Sequence, residues 1–319
     1  MMFIKTFKDI KKDMYEECGG KASHLGELTS LGLNVPAGYT VLGSAYYHHL
    51  EVNGLTEKIR AIVATIDFDT YEDPEKKTQL IRDIIVSAPI PPEIEREIVE
   101  HYGMLPGEKD PFVAVRSSVA MKDSTISSFP GLMDTYHYIK GATRVVEKVK
   151  ECWASVWSTR AAVTRYNKKL DHEKAVIAPT IQLMVNSEVA GVAFTMNPIT
   201  KAKDEIMIES NWGLGETVVS GKATSDLYIV DKKTWEIKDK TIANKEHSYV
   251  QAEGGGGKWI DVEPSKAKTP TLTSEMVKEL CRVAQIIEAH YGYPQDIEWA
   301  FEKGQLYILQ ARKARASGE

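Results

Sequence analysis

The sequence predicts an α+β protein built as two lobes. The chain has 319 residues, past the size at which one hydrophobic core usually divides, so two modest cores are favoured over one. Up to residue 174 apolar residues recur mostly at helical spacing, and beyond it strand-like runs with hairpin-scale connections take over. The composition, 43% hydrophobic and 27% charged with a net charge of −5, is that of a globular chain and excludes disorder, collagen and a disulfide-stapled miniprotein.

The elements follow in order. Gly19-Gly20-Lys21 precede ASHLGELTSLG, where Leu25, Leu28 and Leu31 lie at helical spacing and Gly32, Asn34 and Pro36 end the run. A glycine turn therefore delivers Lys21 to a helix start. Residues 37–41 read as a strand, and 45–63 and 74–85 as helices; Pro89, Pro91 and Pro92 then introduce the helical EIEREIVEHYG. FVAVRSS is an apolar strand that ends in Arg116 and two hydroxyls. Residues 117–141 read as a long irregular loop, too polar and punctuated for core. Val145, Val149, Trp153, Val156 and Trp157 then mark one amphipathic helix, or two joined end to end. AVIAPTIQLMV, GVAFTM, EIMIES and DLYIVDKK read as strands. The four glycines at 254–257 mark a mobile loop, since they offer no side chain to pack. The helix SEMVKELCRVAQIIEAHYG leads to two closing strands, DIEWAFEK and QLYILQARK, joined at Lys303-Gly304.

The closing hairpin carries the most chemistry. Alternation puts Asp296 and Glu298 on one face of their strand, and Gln310 and Arg312 on one face of theirs. Registered across a short turn, Glu298 and Gln310 present two oxygen ligands side by side, a hard donor pair that suits magnesium. The plainer reading is a solvated sheet face with a paired glutamate and arginine. Lys21, behind two glycines, is either a phosphate contact or a surface lysine. Arg116, at a strand end, is placed either to grip two phosphate oxygens or to form a structural ion pair. The hydroxyl-rich stretch after Arg116, with Gly131 and Asp134, reads as a phosphate cover or as a solvated loop. Glu209 and Glu216 flank the turn Asn211-Trp212-Gly213-Leu214-Gly215 and either bind metal or ribose or cap the turn.

Other chemistries find little footing. Cys18, Cys152 and Cys281 have no CxxC spacing and read as isolated thiols of a reducing compartment. The apolar runs break within about ten residues, short of the ~20 that span a bilayer, and the start lacks a signal-peptide core, so a cytoplasmic protein without a membrane partner is expected. The charge balance and scattered basic residues argue against nucleic acid as a partner. No HExxH, GxSxG, P-loop or dinucleotide GxGxxG pattern is present.

Taken together, GGKASHLGEL, VPAGYTV, FVAVRSS, SSFPGLMDT, WASVWSTRAAVTRY, IQLMV, GVAFTMNP, ESNWGLGETVVSG and HYGYPQDIEWAFEKGQLYILQAR resemble, in order, the nucleotide-binding domain of the phosphoenolpyruvate synthase and pyruvate phosphate dikinase family. The resemblance implies an ATP-grasp-like fold: a lobe over residues 1–180 with a phosphate-covering loop, a lobe over 181–319 with adenine and metal-binding strands, and ATP in the cleft between them. It implies that Lys21 and Arg116 hold ATP phosphates, that Glu298 and Gln310 hold Mg2+, and that Arg312 stabilises the phosphates; Lys21, Arg116 and Arg312 would thus be the catalytic set. Gln182, Met184 and Val185 would line the adenine, Gly131, Asp134 and Thr135 would cover the triphosphate, and Glu209 would lie toward the ribose.

The family passes the phosphoryl group to a histidine on a separate swivelling domain, in a setting that looks like TSHAA, and a further barrel binds pyruvate. Neither pattern occurs here, so the partner is expected in trans or in another part of a longer chain. Phenylphosphate synthase and rifampicin phosphotransferase resemble the same architecture, which leaves pyruvate, phenol or a drug hydroxyl as final acceptor. SSVAMKDSTISSFPG departs from the SSATAEDLPDASFAG style of the synthase branch, and Met121-Lys122 add positive charge there. An ATP-grasp carboxylate ligase and a non-catalytic nucleotide sensor are the competing readings.

Overall fold

Short β-branched and aromatic runs in the first half of the chain pair into a sheet, and the helical repeats between them cover one of its faces. The computed structural model describes residues 2–120 and 135–315. It divides into two units, Met1–Glu27 with Ala37–Met184, and Leu28–Pro36 with Val185–Glu319. Helices and antiparallel strands both contribute throughout, in keeping with an α+β class. Among the described residues no helix is long and apolar enough to cross a membrane.

The first unit contains β1 (Ile4–Thr6), α1 (Tyr15–Ser30, whose last turn belongs to the second unit), β2 (Gly38–Val41), α2 (Gly43–Val52), α3 (Leu55–Val63), α4 (Glu72–Ser87) and α5 (Pro92–Gly103). It continues with β3 (Val113–Arg116), β4 (Val119–Ala120), β5 (Thr135–Ile139), α6 (Ala142–Ser155), α7 (Thr159–Asn167), β6 (Val176–Ile177) and β7 (Thr180–Leu183). The antiparallel sheet runs β1-β2-β7-β3-β5. Tyr39, Val41, Val113, Val115 and Ile181 turn to the helices and join Ile81, Ile98, Val149 and Trp153 in one core. That leaves the alternate residues, among them Thr40, Thr180, Gln182 and Arg116, on the other face. Gly54, at φ 61, separates α2 from α3, and Ser158 caps α7 through its hydroxyl to the Ala161 N–H. The amphipathic stretch is therefore two helices.

Part of the segment expected to be irregular is strand. β5 pairs with β3, and β4 pairs with β6. Alternation in β5 is hidden by a bulge: Val113 opposes Ile139 while Val115 opposes Tyr136, and Tyr138 takes a positive φ of 52.

A buried cation organises the back of this unit. Arg165 is 3% exposed, donates from Nη1 to the Val156 carbonyl at 2.7 Å and from Nε to His172 Nδ1 at 3.1 Å, and lies over the Trp157 ring. Burial pushes its pKa down to about 10. His172 lies between the rings of Phe68 and Trp157. Burial, then the Arg165 charge, push it down to about 4 against the pull of Asp171.

The second unit contains β8 (Val189–Phe194), β9 (Glu205–Trp212), α8 (Glu216–Val219), β10 (Asp226–Asp231), β11 (Ile237–Thr241), β12 (His247–Gln251) and β13 (Gly257–Asp261). α9 (Pro264–Ala267), α10 (Ser274–Tyr291), β14 (Gln295–Glu302) and β15 (Gln305–Lys313) complete it. Its antiparallel sheet runs β11-β10-β9-β8-β14-β15. Ile206, Ile208, Tyr228, Ile297, Trp299 and Ala311 form a core with Val277, Leu280, Cys281 and Ala284 of α10. α10 starts at the Thr273 cap and stops at Gly292, which takes the left-handed conformation. Leu28–Pro36 lies along the β15 edge, where Asn34 donates to the Leu306 carbonyl at 2.8 Å and accepts from the Ile308 N–H at 2.9 Å. Two buried groups join the loops below the sheet: Lys245 and Asp226, both 0% exposed, meet at 2.6 Å, and Asp226 also accepts from Thr271.

The glycines at 254–257 form the connection of the β12–β13 hairpin and the first residue of β13. Gly254, Gly255 and Gly256 take positive φ to turn the chain, and Gly257 opens β13 beneath the Tyr249 ring. The three cysteines are unbonded and buried.

Two outcomes test these packing arguments. A Cβ on Gly191 would lie 1.8 Å from the Glu209 carbonyl oxygen, so Gly191→Ala is expected to lower stability by about 3 kcal/mol or more. Gly103, with nothing within 4 Å of its Cβ position, should tolerate alanine to within about 0.5 kcal/mol in the same denaturant titration. His172 stays neutral in the folded state down to about pH 4, while the unfolded chain takes up its proton near pH 6.5. Stability should therefore fall as pH drops from about 6.5 to 4, by on the order of 2 kcal/mol, and a His172→Asn variant should lack that slope.

Candidate functional site

Gly19 breaks α1 with φ 76 and ψ 166, so the helix restarts at Gly20 and Lys21 lies in its first turn. The break is locked from outside the helix. Ser118 Oγ donates to the Cys18 carbonyl at 3.0 Å and accepts from the Ala22 N–H at 3.5 Å. A Cβ on Gly19 would lie 2.3 Å from that same oxygen. Ser118 follows Arg116 by two residues, so this contact ties the end of β3 to the turn that carries Lys21. Lys21 and Arg116 are both half-buried.

Arg116 is held by its neighbour in the sheet. Its Nη1 donates to Gln182 Oε1 at 2.9 Å. In register, Arg116 opposes Thr180 on one side and Thr135 on the other, and Gln182 opposes Ala114 and Gly38. Arg116, Thr135, Thr180 and Gln182 therefore share the face turned away from the helices. Gln182 is 3% exposed, and its carbonyl oxygen aims the guanidinium without neutralising it. Thr135 is exposed at the start of β5, while Gly131 and Asp134 lie outside the described residues.

After β7 the backbone N–H groups of Leu183 and Met184 donate to the carbonyls of Ala37 and Phe112, both at 2.9 Å. They are engaged within the first unit, so an adenine edge read by backbone would have to use the neighbouring groups. Met184 closes the first unit and Val185 opens the second. Val185 is buried against Ala190 and Ala300, on the sheet face opposite α10.

That same face carries the oxygen-bearing residues of the second unit. Glu209 of β9 opposes Val192 of β8, Val192 opposes Glu298 of β14, and Glu298 opposes Gln310 of β15. One strand-row thus holds all three expected residues. Strands lie about 4.8 Å apart, so Glu298 and Gln310 are direct neighbours, whereas Glu209 stands two strands from Glu298, about 10 Å at the backbone. Ser225 donates to Glu209 at 3.3 Å. In the next row Asp296 opposes Phe194 and Arg312.

The Glu298–Gln310 pairing depends on a bulge. From Glu302–Gln305 to Trp299–Ile308 the hairpin pairs without slip, and then Glu298 pairs with Gln310, leaving Leu309 extra. Without it, Leu309 would stand opposite Glu298, and Ala311 would share the face of Asp296.

Asp296 is the residue that sequence spacing pointed to but assigned no role. Its Oδ2 accepts from Arg312 Nε at 2.7 Å, while Oδ1 is buried and has no hydrogen-bond partner. Burial raises the Asp296 pKa, which Arg312 opposes and Glu298 reinforces. Arg312 is raised despite burial, because Asp296 and then Glu298 favour its charge. An orphaned carboxylate oxygen beside the Glu298–Gln310 pair extends the set of hard oxygen donors. Among the described residues no three His, Cys, Asp or Glu side chains are grouped to hold a metal ion. The donor set is made of oxygen atoms and is not the closed nitrogen and sulfur cage of a structural zinc site.

The Ser118 lock and the Gln182 clamp on Arg116 had weaker sequence signals: only the hydroxyl pair after Arg116, and a polar residue within an apolar strand. Glu216 lies in the first turn of α8, and its charge acts on Tyr249.

Comparison with known proteins gives concordant results. A family described as pyruvate phosphate dikinase, AMP/ATP-binding domain, matches residues 15–319. A probable phosphoenolpyruvate synthase of Methanocaldococcus jannaschii is 42% identical over 315 residues, covering 98% of this chain and 26% of the relative. The phosphoenolpyruvate synthase of Pyrococcus furiosus is 39% identical, with 97% of this chain and 43% of the relative aligned. That of Aeropyrum pernix is 38% identical, with 97% and 42% aligned. The chain thus spans less than half the length of these relatives.

The Ser118 lock yields a direct test. Gly19→Ala is expected to cost about 2–3 kcal/mol, since both φ and the Ser118 contact oppose a side chain. Ser118→Ala should cost about 1 kcal/mol by removing the hydrogen bonds alone. Thermal unfolding of the two variants should rank them in that order.

Proposed function

Since the chain belongs to the pyruvate phosphate dikinase AMP/ATP-binding domain family, we propose that it is the ATP-cleaving part of a phosphoenolpyruvate synthase-type phosphotransferase. The observation that carries this reading is the single strand-row of Glu209, Glu298 and Gln310 within a chain whose family match runs from residue 15 to 319. We propose an ATP-grasp-like use of the two units, with one nucleotide served by both: phosphate-holding residues from the first, metal-holding residues from the second, and adenine contacts at Met184 and Val185. Such an enzyme would work in the cytoplasm.

The roles follow from charge and geometry. Arg116, aimed by Gln182, offers a guanidinium fork to phosphate oxygens. Lys21, fixed at the restart of α1, adds a point charge. Arg312, held on Asp296 through Nε, keeps a cation beside Glu298. Glu298 and Gln310 would hold Mg2+, which when bound neutralises phosphate charge and aligns the triphosphate. Positioning and charge neutralisation of this kind suffice for in-line phosphoryl transfer, and no covalent residue of this chain is required. The acceptor in this reading is a histidine on a swivelling domain, as the family resemblance implies, with pyruvate as the final acceptor. Thr135, with Gly131 and Asp134, is assigned to the triphosphate cover, and Glu209 to the ribose side.

Calorimetry with ATP and magnesium provides the first test: Arg116→Ala and Glu298→Ala should each weaken binding by about tenfold or more, with circular dichroism unchanged. Equal binding by both folded variants would refute the assignment. Incubation with β-labelled ATP and a histidine-domain protein should then place acid-labile label on that partner and release AMP. Carboxylate-dependent ADP release without a labelled partner would identify a ligase instead.

A further inference from the structure

On the helical side of the first unit, away from the sheet face that carries Arg116, lies a cavity of about 410 Å³. It lies between α2, α3 and the segment after α7, and none of the residues assigned above lines it. Leu50, Ile59, Val63 and Leu170 give it an apolar floor, and Tyr46, Tyr47, Trp157 and His172 give it aromatic walls. At the rim Arg60 holds Glu173 through two hydrogen bonds, Nε to Oε1 at 2.5 Å and Nη2 to Oε2 at 2.8 Å, so that carboxylate is already matched.

The walls contain donors without acceptors. His172 accepts from Arg165 Nε at its Nδ1, and its neutral ring therefore carries its hydrogen on Nε2. No described residue accepts from that Nε2–H. Tyr46, 2% exposed, accepts from Trp157 Nε1 at 3.2 Å, and its own hydroxyl hydrogen has no acceptor among the described residues. Behind them Arg165, 3% exposed, has a buried Nη2 with no partner and no carboxylate neighbour among the described residues. A buried donor such as Arg165 Nη2 is ordinarily satisfied, whereas His172 is half-exposed and its Nε2 can be met from the cavity. Stacked rings, an apolar floor and two or three unmatched donors on one side form the pattern of a small-molecule site.

We propose that this cavity is a second ligand site, for a small planar aromatic molecule carrying a carboxylate or carbonyl acceptor. The ring would stack within the aromatic walls, and the acceptor oxygen would take the hydrogens of His172 Nε2 and Tyr46, facing the field of Arg165. The site stands apart from the nucleotide reading and does not depend on it.

The test uses indole-3-carboxylate and indole as probes in ligand-observed NMR and calorimetry with the full chain. Indole-3-carboxylate should bind about tenfold or more tightly than indole. Ala64 lines the rim and is exposed, so Ala64→Trp should fill the mouth without touching the core and abolish binding of both probes. His172→Phe, which keeps the ring and removes the donor, should bring the carboxylate down to the affinity of indole. Absence of binding by either probe, equal affinity for the two, or full binding by folded Ala64→Trp would each overturn the proposal.

Discussion

Leu309 is one residue too many for its hairpin, and much of the second unit's chemistry follows from where that residue is absorbed. The turn at Lys303 and Gly304, both at positive φ, fixes the pairing of the first strand pairs. Carried on unchanged, that register would set Leu309 and Ala311 beside Glu298 and Asp296, an apolar partner for two acids. Taking up Leu309 in a bulge shifts the parity of the remaining strand and turns Gln310 and Arg312 to the acidic face. Ala311 then enters the core under Trp299. A single backbone irregularity thus sets Gln310 beside Glu298 in a row of oxygen-bearing side chains and supplies Asp296 with its counter-charge.

The first unit solves a similar problem by other means. Its cationic side chains must stay charged and aimed while half-buried. Arg116 is oriented in part by an amide oxygen, Gln182 Oε1, which carries no charge of its own. Arg312 is oriented by a carboxylate, which offsets part of its charge and keeps it protonated. The two arginines thus take different orienting groups, a neutral amide oxygen in one case and a carboxylate in the other.

Much of this was legible in the sequence, for identifiable reasons. Helical spacing located the helical stretches up to α7, and α10, because each buries one apolar stripe, although it read α2 and α3 as one helix. Alternation placed Asp296 with Glu298, and Gln310 with Arg312. Registration across the short turn also set Glu298 beside Gln310, but nothing in the alternation announced the bulge at Leu309 on which that pairing depends. β5 was hidden for the same reason, its bulge at Tyr138 burying two consecutive residues. The glycines at 254–257 read as a loop, but local composition says nothing of the two strands that this loop joins. Ser118 and Gln182 act through partners about one hundred and about seventy residues away, a distance no local pattern spans.

The excursion of Leu28–Pro36 has a consequence for how this protein can be divided. The chain leaves the first unit, lines the edge of β15, and returns before the second unit begins in earnest. Neither unit is therefore one contiguous stretch. A fragment cut at Val185 would carry every strand of the second sheet, yet it would lack the segment that occupies the Leu306 carbonyl and the Ile308 N–H. Those groups would face solvent on an apolar outer strand, open to pairing with another copy. A faithful excision would have to graft nine distant residues back along that edge, so the lobes share a seam in the primary structure that a linear domain boundary conceals.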